Sequence, residues 1–103
     1  LFEEARQNPK LWGRAVESAI GAYLLTFRKE DFNLYYWREG NHEVDFILEK
    51  HDKIVAIEVK TGNDVNSGMG VFQKSFRPHK FYTIGTGGIP WQDFLTIHPG
   101  ELF

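Results

Sequence analysis

Two apolar runs, residues 43–49 and 53–60, constrain the fold of this 103-residue chain more than any other feature. Both runs are rich in β-branched residues, and only a few polar residues around His51 and Asp52 separate them. The pattern predicts two antiparallel strands joined by a tight turn. A turn of even length centred between His51 and Asp52 would place Phe46 opposite Ile57.

The predicted hairpin has one apolar face and one mixed face, since side chains alternate along a strand. The apolar face is expected to be core and comprises Val44, Phe46, Leu48, Val55, Ile57 and Val59. The mixed face carries Asp45, Glu58 and Lys60 at the end away from the turn. The same register places Asp45 opposite Glu58, where two carboxylates about 4.5–5.5 Å apart at Cβ repel each other.

A divalent cation would turn this repulsion into attraction, because hard ions such as Mg²⁺ bind carboxylate oxygens. Lys60 would then lie beside the ion, where an ammonium can stabilise charge that develops on a phosphate. The spacing also permits a purely structural interpretation, in which Lys60 neutralises Glu58 and Glu43 across the strands. A turn one residue longer or shorter would move Asp45 to the opposite face.

A helix is predicted over residues 10–28 because apolar residues recur there at helical spacing. Glu17 borders its apolar stripe, and Gly13 and Gly21 lie four residues on either side. Each glycine destabilises a helix by roughly 1 kcal/mol relative to alanine. Their presence suggests that another backbone or a ligand approaches the helix closely beside Glu17. The alternative is a solvated glutamate on a tightly packed helix.

The remaining elements complete an α/β pattern. Residues 34–38 and 80–85 predict strands, and Met69, Phe72 and Phe76 predict a short helix capped by Ser67. Residues 96–97 suggest a last short strand. The strand–helix–strand step after residue 53 implies a parallel pair joined by a right-handed crossover. The expected fold is therefore a mixed β-sheet flanked by helices, in one domain that spans residues 1–103.

Composition narrows the possible functions. A net charge of −2 argues against a protein that coats nucleic acid by bulk electrostatics. The chain has no cysteine and no apolar run long enough to cross a bilayer. A cytoplasmic protein without a membrane partner is therefore expected. Histidines 42, 51, 79 and 98 share no metal-ligand spacing, which favours surface or turn roles.

Taken together, these residues resemble the PD-(D/E)xK nuclease superfamily. In that pattern a helical Glu precedes a strand Asp, and Glu-x-Lys follows on the next strand. The corresponding segments here are GRAVESAIGAYLL, HEVDFIL and AIEVKTG. More specifically, the chain resembles the C-terminal nuclease-like domain of bacterial and archaeal AAA-type ATPases. This second resemblance extends from NPKLWGRAVESAIGAYLL through GMGVFQKSF to IPWQDFL.

The resemblance implies a restriction-endonuclease-like core in the order αβββαβ. It also implies that Asp45, Glu58 and Glu17 bind Mg²⁺ or Mn²⁺ and that Lys60 positions or activates the attacking water. The superfamily's proline before the Asp is Val44 here. The implied function is metal-dependent hydrolysis of DNA, by a domain that follows an ATPase domain in one longer chain. The alternative is a non-catalytic module that binds DNA or a protein and is likewise appended to an ATPase.

Overall fold

The computed structural model describes residues 8–62 and 68–103. Its elements are α1 (Pro9–Asp31), β1 (Asn33–Glu39), β2 (His42–Lys50), β3 (Lys53–Lys60), α2 (Met69–Phe76), β4 (Lys80–Gly85), a short α3 (Trp91–Phe94) and a 3₁₀ helix (Pro99–Leu102). The predicted order of helix, three strands, helix and strand is confirmed. The predicted cap Ser67 lies outside the described residues.

The last predicted strand, at residues 96–97, is wrong. The backbone N–H groups of Thr96 and Ile97 donate to the carbonyls of Asp93 and Phe94, so this segment forms the turn that ends α3. Two tyrosines fix the segment and the residues after it. The Tyr23 hydroxyl donates to the Ile97 carbonyl at 2.8 Å, and the Tyr82 hydroxyl donates to the Leu102 carbonyl at 2.7 Å.

Helix α1 begins where its sequence supplies a cap. The Asn8 side-chain oxygen accepts hydrogen bonds from the backbone of Lys10 at 3.1 Å and of Leu11 at 3.4 Å. Pro9 occupies the first helical position, where the missing N–H has no intrahelical partner to lose. The helix ends before Phe32, whose backbone is extended.

The four strands form one mixed sheet in the order β1-β2-β3-β4. Strands β1, β2 and β3 are antiparallel neighbours, and β4 runs parallel to β3. The β2–β3 turn has positive φ angles at His51 (48°) and Asp52 (67°), as a two-residue type I′ turn requires. The expected register is confirmed from the turn as far as the pair Phe46–Ile57.

A β-bulge changes the register of β2 on its other side. Tyr35 pairs with Ile47, but Trp37 pairs with Val44, so Asp45 and Phe46 together face one residue of β1. The prediction that Val44 shares a face with Phe46 and Leu48 is therefore wrong. The extra residue moves Val44 to the opposite face.

Hydrophobic cores lie on both faces of the sheet. The α1 side buries Val16, Ile20 and Leu24 of the helix against strand residues that include Leu48, Val55, Ile57 and Ile84. The α2 side contains Val44, Ile47, Ala56, Met69 and Phe72, with Trp37 packed against them. Burial on both faces explains why β2 and β3 are apolar on both sides over most of their length. No helix among the described residues is long and apolar enough to span a bilayer.

Candidate functional site

Asp45 lies at the bulge, where β2 and β3 stop pairing. Its Oδ2 accepts a hydrogen bond from the backbone N–H of Val59 at 2.7 Å. Val59 is two residues beyond Ile57, the last β3 residue paired with β2. The Asp45 carboxylate therefore provides the acceptor that a β2 carbonyl would provide if the ladder continued.

Asp45 and Glu58 consequently do not form the directly opposed pair that the turn predicts, and neither do Glu43 and Lys60. All four side chains nevertheless line one pocket of about 380 Å³. Glu17, from α1, lines the same pocket. The structure thus brings together Glu17, Asp45, Glu58 and Lys60, the four residues that the sequence singles out.

The electrostatics of the pocket are unfavourable for Asp45 as a free carboxylate. Burial raises its pKa, and the nearby charges of Glu17, Glu43 and Glu58 raise it further, to about 7. The hydrogen bond from Val59 acts in the opposite direction and lowers this pKa. A cation in the pocket would favour the ionised form, because an opposite charge within a few ångströms stabilises a carboxylate.

The central strand β3 positions Glu58 and Lys60. They are two residues apart, so strand alternation places them on the same face. Glu58 pairs with Thr83 and Lys60 with Gly85 of the parallel strand β4. The Lys60 carbonyl also accepts from Thr86 N–H at 2.9 Å. Gly85 has a φ of 109°, and a Cβ there would collide with the Lys60 carbonyl, so both position and backbone angle require glycine.

Two glycines let α1 approach the sheet beside Glu17. A Cβ at Gly13 would lie 2.7 Å from Thr61 Oγ1, and a Cβ at Gly21 would lie 3.2 Å from the Phe46 ring. The groups that approach the helix are these two side chains, as in the alternative interpretation of a helix packed tightly against the sheet. The Glu17 side chain itself is exposed and lines the pocket.

Three further charged residues of the pocket have no functional role in the sequence prediction: Lys10, Arg14 and Glu43. Lys10 and Arg14 lie seven and three residues before Glu17, a spacing that places all three on one face of a helix. That spacing is the signal in the sequence that identifies Lys10 and Arg14 as neighbours of Glu17. Glu43 accepts a hydrogen bond from the exposed Tyr36 hydroxyl at 3.0 Å, and this bond raises the pKa of Tyr36.

The donor atoms of the pocket suit a hard divalent cation, because Mg²⁺ and Mn²⁺ prefer carboxylate oxygen and water. Within residues 8–62 and 68–103, no group of three or more His, Asp or Glu side chains is arranged to hold a metal ion. Mg²⁺ is commonly bound by one or two carboxylates and keeps several waters. Asp45 and Glu58 meet that smaller requirement by donor type, with Glu17 as a third acidic neighbour.

Fold and site together define an α/β domain whose acidic pocket opens where its central hairpin loses regular pairing. The family model described as Domain of unknown function (DUF4143) matches residues 12–88. The chain belongs to this family. The matched segment contains Glu17, Asp45, Glu58 and Lys60. No curated protein and no solved structure gives a significant match to the chain.

Proposed function

We propose that this domain is a Mg²⁺- or Mn²⁺-dependent nuclease that hydrolyses phosphodiester bonds in DNA. The observation that carries the proposal is the Asp45 environment. Asp45, whose pKa is raised, lies in one pocket with three glutamates, two lysines and an arginine. The carboxylates outnumber the cationic side chains there, and a bound divalent ion would favour the ionised form of Asp45 and suit metal-assisted phosphoryl chemistry.

In this proposal Asp45 and Glu58 hold the metal ion, and Glu17 contributes a third carboxylate. A bound Mg²⁺ would supply Lewis-acid activation of a phosphoryl oxygen and of water. Lys60 orients the attacking water and stabilises negative charge on the phosphoryl group through its ammonium. The Val59 N–H fixes one Asp45 oxygen, which leaves the other available as a ligand.

The finer fold assignment and the partner belong to the same proposal. The αβββαβ order, the mixed four-stranded sheet and the acidic pocket support a restriction-endonuclease-like core. The resemblance in sequence supports an ATPase domain in the same longer chain, which would deliver DNA to the pocket.

The metal site is tested by isothermal titration of Mn²⁺ into the wild type, Asp45→Asn and Glu58→Gln. We expect saturable binding to the wild type and its loss in both variants. Asparagine can still accept from Val59 N–H, so the strand end keeps its hydrogen bond. Glu49→Gln, on the same strand β2, is the matched control and should bind normally. Equal binding by all four proteins would refute the metal site.

Catalysis is tested separately by cleavage of DNA in Mg²⁺ and in Mn²⁺. Asp45→Asn and Lys60→Ala should each reduce the rate by at least about 100-fold, a typical effect of removing one group that stabilises the transition state. Lys53→Ala, at the other end of β3, controls for the loss of a lysine. Unchanged cleavage in Lys60→Ala would exclude this lysine from the reaction.

A non-catalytic interaction module is the second candidate, and a specific surface favours it. Tyr35 and Tyr36 of β1 and Phe76 of α2 are 51%, 58% and 46% exposed, beside a shallow pocket that they line with Trp37. Exposed aromatic side chains of this kind mark binding surfaces. Metal binding without any cleavage of single-stranded or duplex DNA would favour this candidate.

A further inference from the structure

The polar wall that α1 contributes to the acidic pocket is not only acidic. Lys10 and Arg14 line the pocket together with Gly13 and Glu17. The two cations lie one turn apart on the same face of α1, about 6 Å along the helix axis. Both side chains are exposed and can reach a ligand from solvent.

The charges of the pocket depend on whether a metal ion is bound. Four carboxylates face three cations, Lys10, Arg14 and Lys60, so the pocket alone does not favour an anion. A divalent ion bound to the carboxylates would make the net charge of the pocket positive. The cations of α1 would then lie next to a positively charged centre, which suits successive phosphate groups.

A second cavity extends the site along the same helix. Its volume is about 550 Å³, and its wall includes Arg14, Glu17, Gly21, Leu25 and Phe46. Arg14 and Glu17 line both cavities. The two cavities therefore adjoin along α1, with cations at one end and apolar side chains at the other. This arrangement suits a strand with several sugar-phosphate units better than it suits a mononucleotide.

We infer that Lys10 and Arg14 bind two successive backbone phosphates on one side of the scissile phosphate, in a single nucleic-acid strand that lies along α1. The inference rests on the proposed function, since the acidic cluster defines where the scissile phosphate lies. Arg14 can bind a phosphate through two parallel N–H···O hydrogen bonds, whereas Lys10 acts as a point charge. These residues position the substrate and take no part in the chemical step.

The test measures binding of fluorescein-labelled oligothymidylate by fluorescence anisotropy, in Ca²⁺ and over a series of salt concentrations. Lys10→Ala and Arg14→Ala should each weaken binding by about fivefold to tenfold at low salt. Each should also reduce the slope of log K against log salt by about 0.7, the value for one phosphate contact on a single strand. Lys53→Ala is the control, because this exposed lysine lies at the turn end of β3 and lines neither cavity.

Further measurements separate this inference from the proposed function. Lys10→Ala and Arg14→Ala should bind Mn²⁺ at least as tightly as the wild type, because each removes a positive charge from the pocket. Arg14→Lys keeps the charge and should restore the salt slope. If Mn²⁺ binds and neither substitution changes the affinity or the slope, the phosphate contacts are refuted and the metal site stands. If Mn²⁺ does not bind but both substitutions weaken binding, the proposed nuclease fails and the phosphate contacts stand. Absence of oligothymidylate binding by the wild type overturns the inference.

Discussion

The two ends of the β2–β3 hairpin differ in strand pairing and in the polarity of their side chains. Near the turn, pairing is regular from Lys50–Lys53 to Phe46–Ile57, and apolar side chains occupy both faces. At the open end a bulge interrupts β2, and a carboxylate takes the place of a backbone acceptor. One hairpin therefore contains both the core and the acidic pocket. The difference shows that the candidate site is located where strand pairing stops.

The largest expected effect on stability lies in the regular half. Leu48 is fully buried in the core on the α1 side. Leu48→Ala should lower the free energy of unfolding by about 2–5 kcal/mol, because it removes buried methyl groups and leaves a cavity. Urea denaturation measures the loss. Mn²⁺ titration of the folded variant should give the wild-type affinity, and a weaker affinity would contradict the separation of the two halves.

The open end of the hairpin should instead make the free energy of unfolding depend on pH. The pKa of Asp45 is about 7 in the folded protein, against 3.8 ordinarily, so the folded state holds this proton more tightly. The stabilisation that comes from protonation of Asp45 is complete below pH 4 and is lost as pH rises towards 7. In chelator, the free energy of unfolding of the wild type should fall over this window relative to Asp45→Asn.

The same pH series contains its own controls. Asp52→Asn removes a carboxylate at the turn and should reproduce the wild-type profile. Added Mn²⁺ should restore stability to the wild type at pH 7 and leave Asp45→Asn unchanged, because a ligand that binds only the folded state stabilises it. If the free energy of unfolding changes with pH in the same way for the wild type and Asp45→Asn in chelator, the pocket does not raise the pKa of Asp45.

Two glycine substitutions have the smallest expected effects. Gly70→Ala, in α2, has open space around its Cβ and should stabilise the protein by up to about 1 kcal/mol through helix propensity. Gly13→Ala has the same intrinsic advantage, but its Cβ would meet Thr61 Oγ1 at 2.7 Å. We expect no net gain from Gly13→Ala. A thermal unfolding series that includes both variants would measure the difference, and an equal gain would mean that α1 is free to shift.

Local pattern predicted most of the fold. The spacing of apolar residues predicted α1 and α2, and an even turn at His51–Asp52 predicted the hairpin register as far as Phe46–Ile57. These features depend on neighbours in sequence, which is why a single sequence is sufficient for them.

The bulge could not be predicted in this way. Asp45 and Phe46 continue the alternation of β2, and only the pairing with β1 shows that both face Tyr36. That pairing moves Val44 to the α2 side, and the ladder with β3 ends before Asp45 and Glu58 could become partners. Likewise, the positions of Lys10 and Arg14 in the pocket depend on how α1 is oriented against the sheet. Side-chain chemistry identified the acidic residues, but tertiary contacts determine which groups surround them.

The contacts between Lys60 and β4 have a consequence for the order of folding. Lys60 belongs to a hairpin that can form early, because its strands are neighbours in sequence. Its backbone, however, is fixed by pairing with Gly85 and by the hydrogen bond from Thr86, on the far side of the crossover through α2. Parallel pairing of this kind requires closure of a long loop and is intrinsically slow. The lysine should thus reach its final position in the last stage of folding, when the core around the hairpin is already formed.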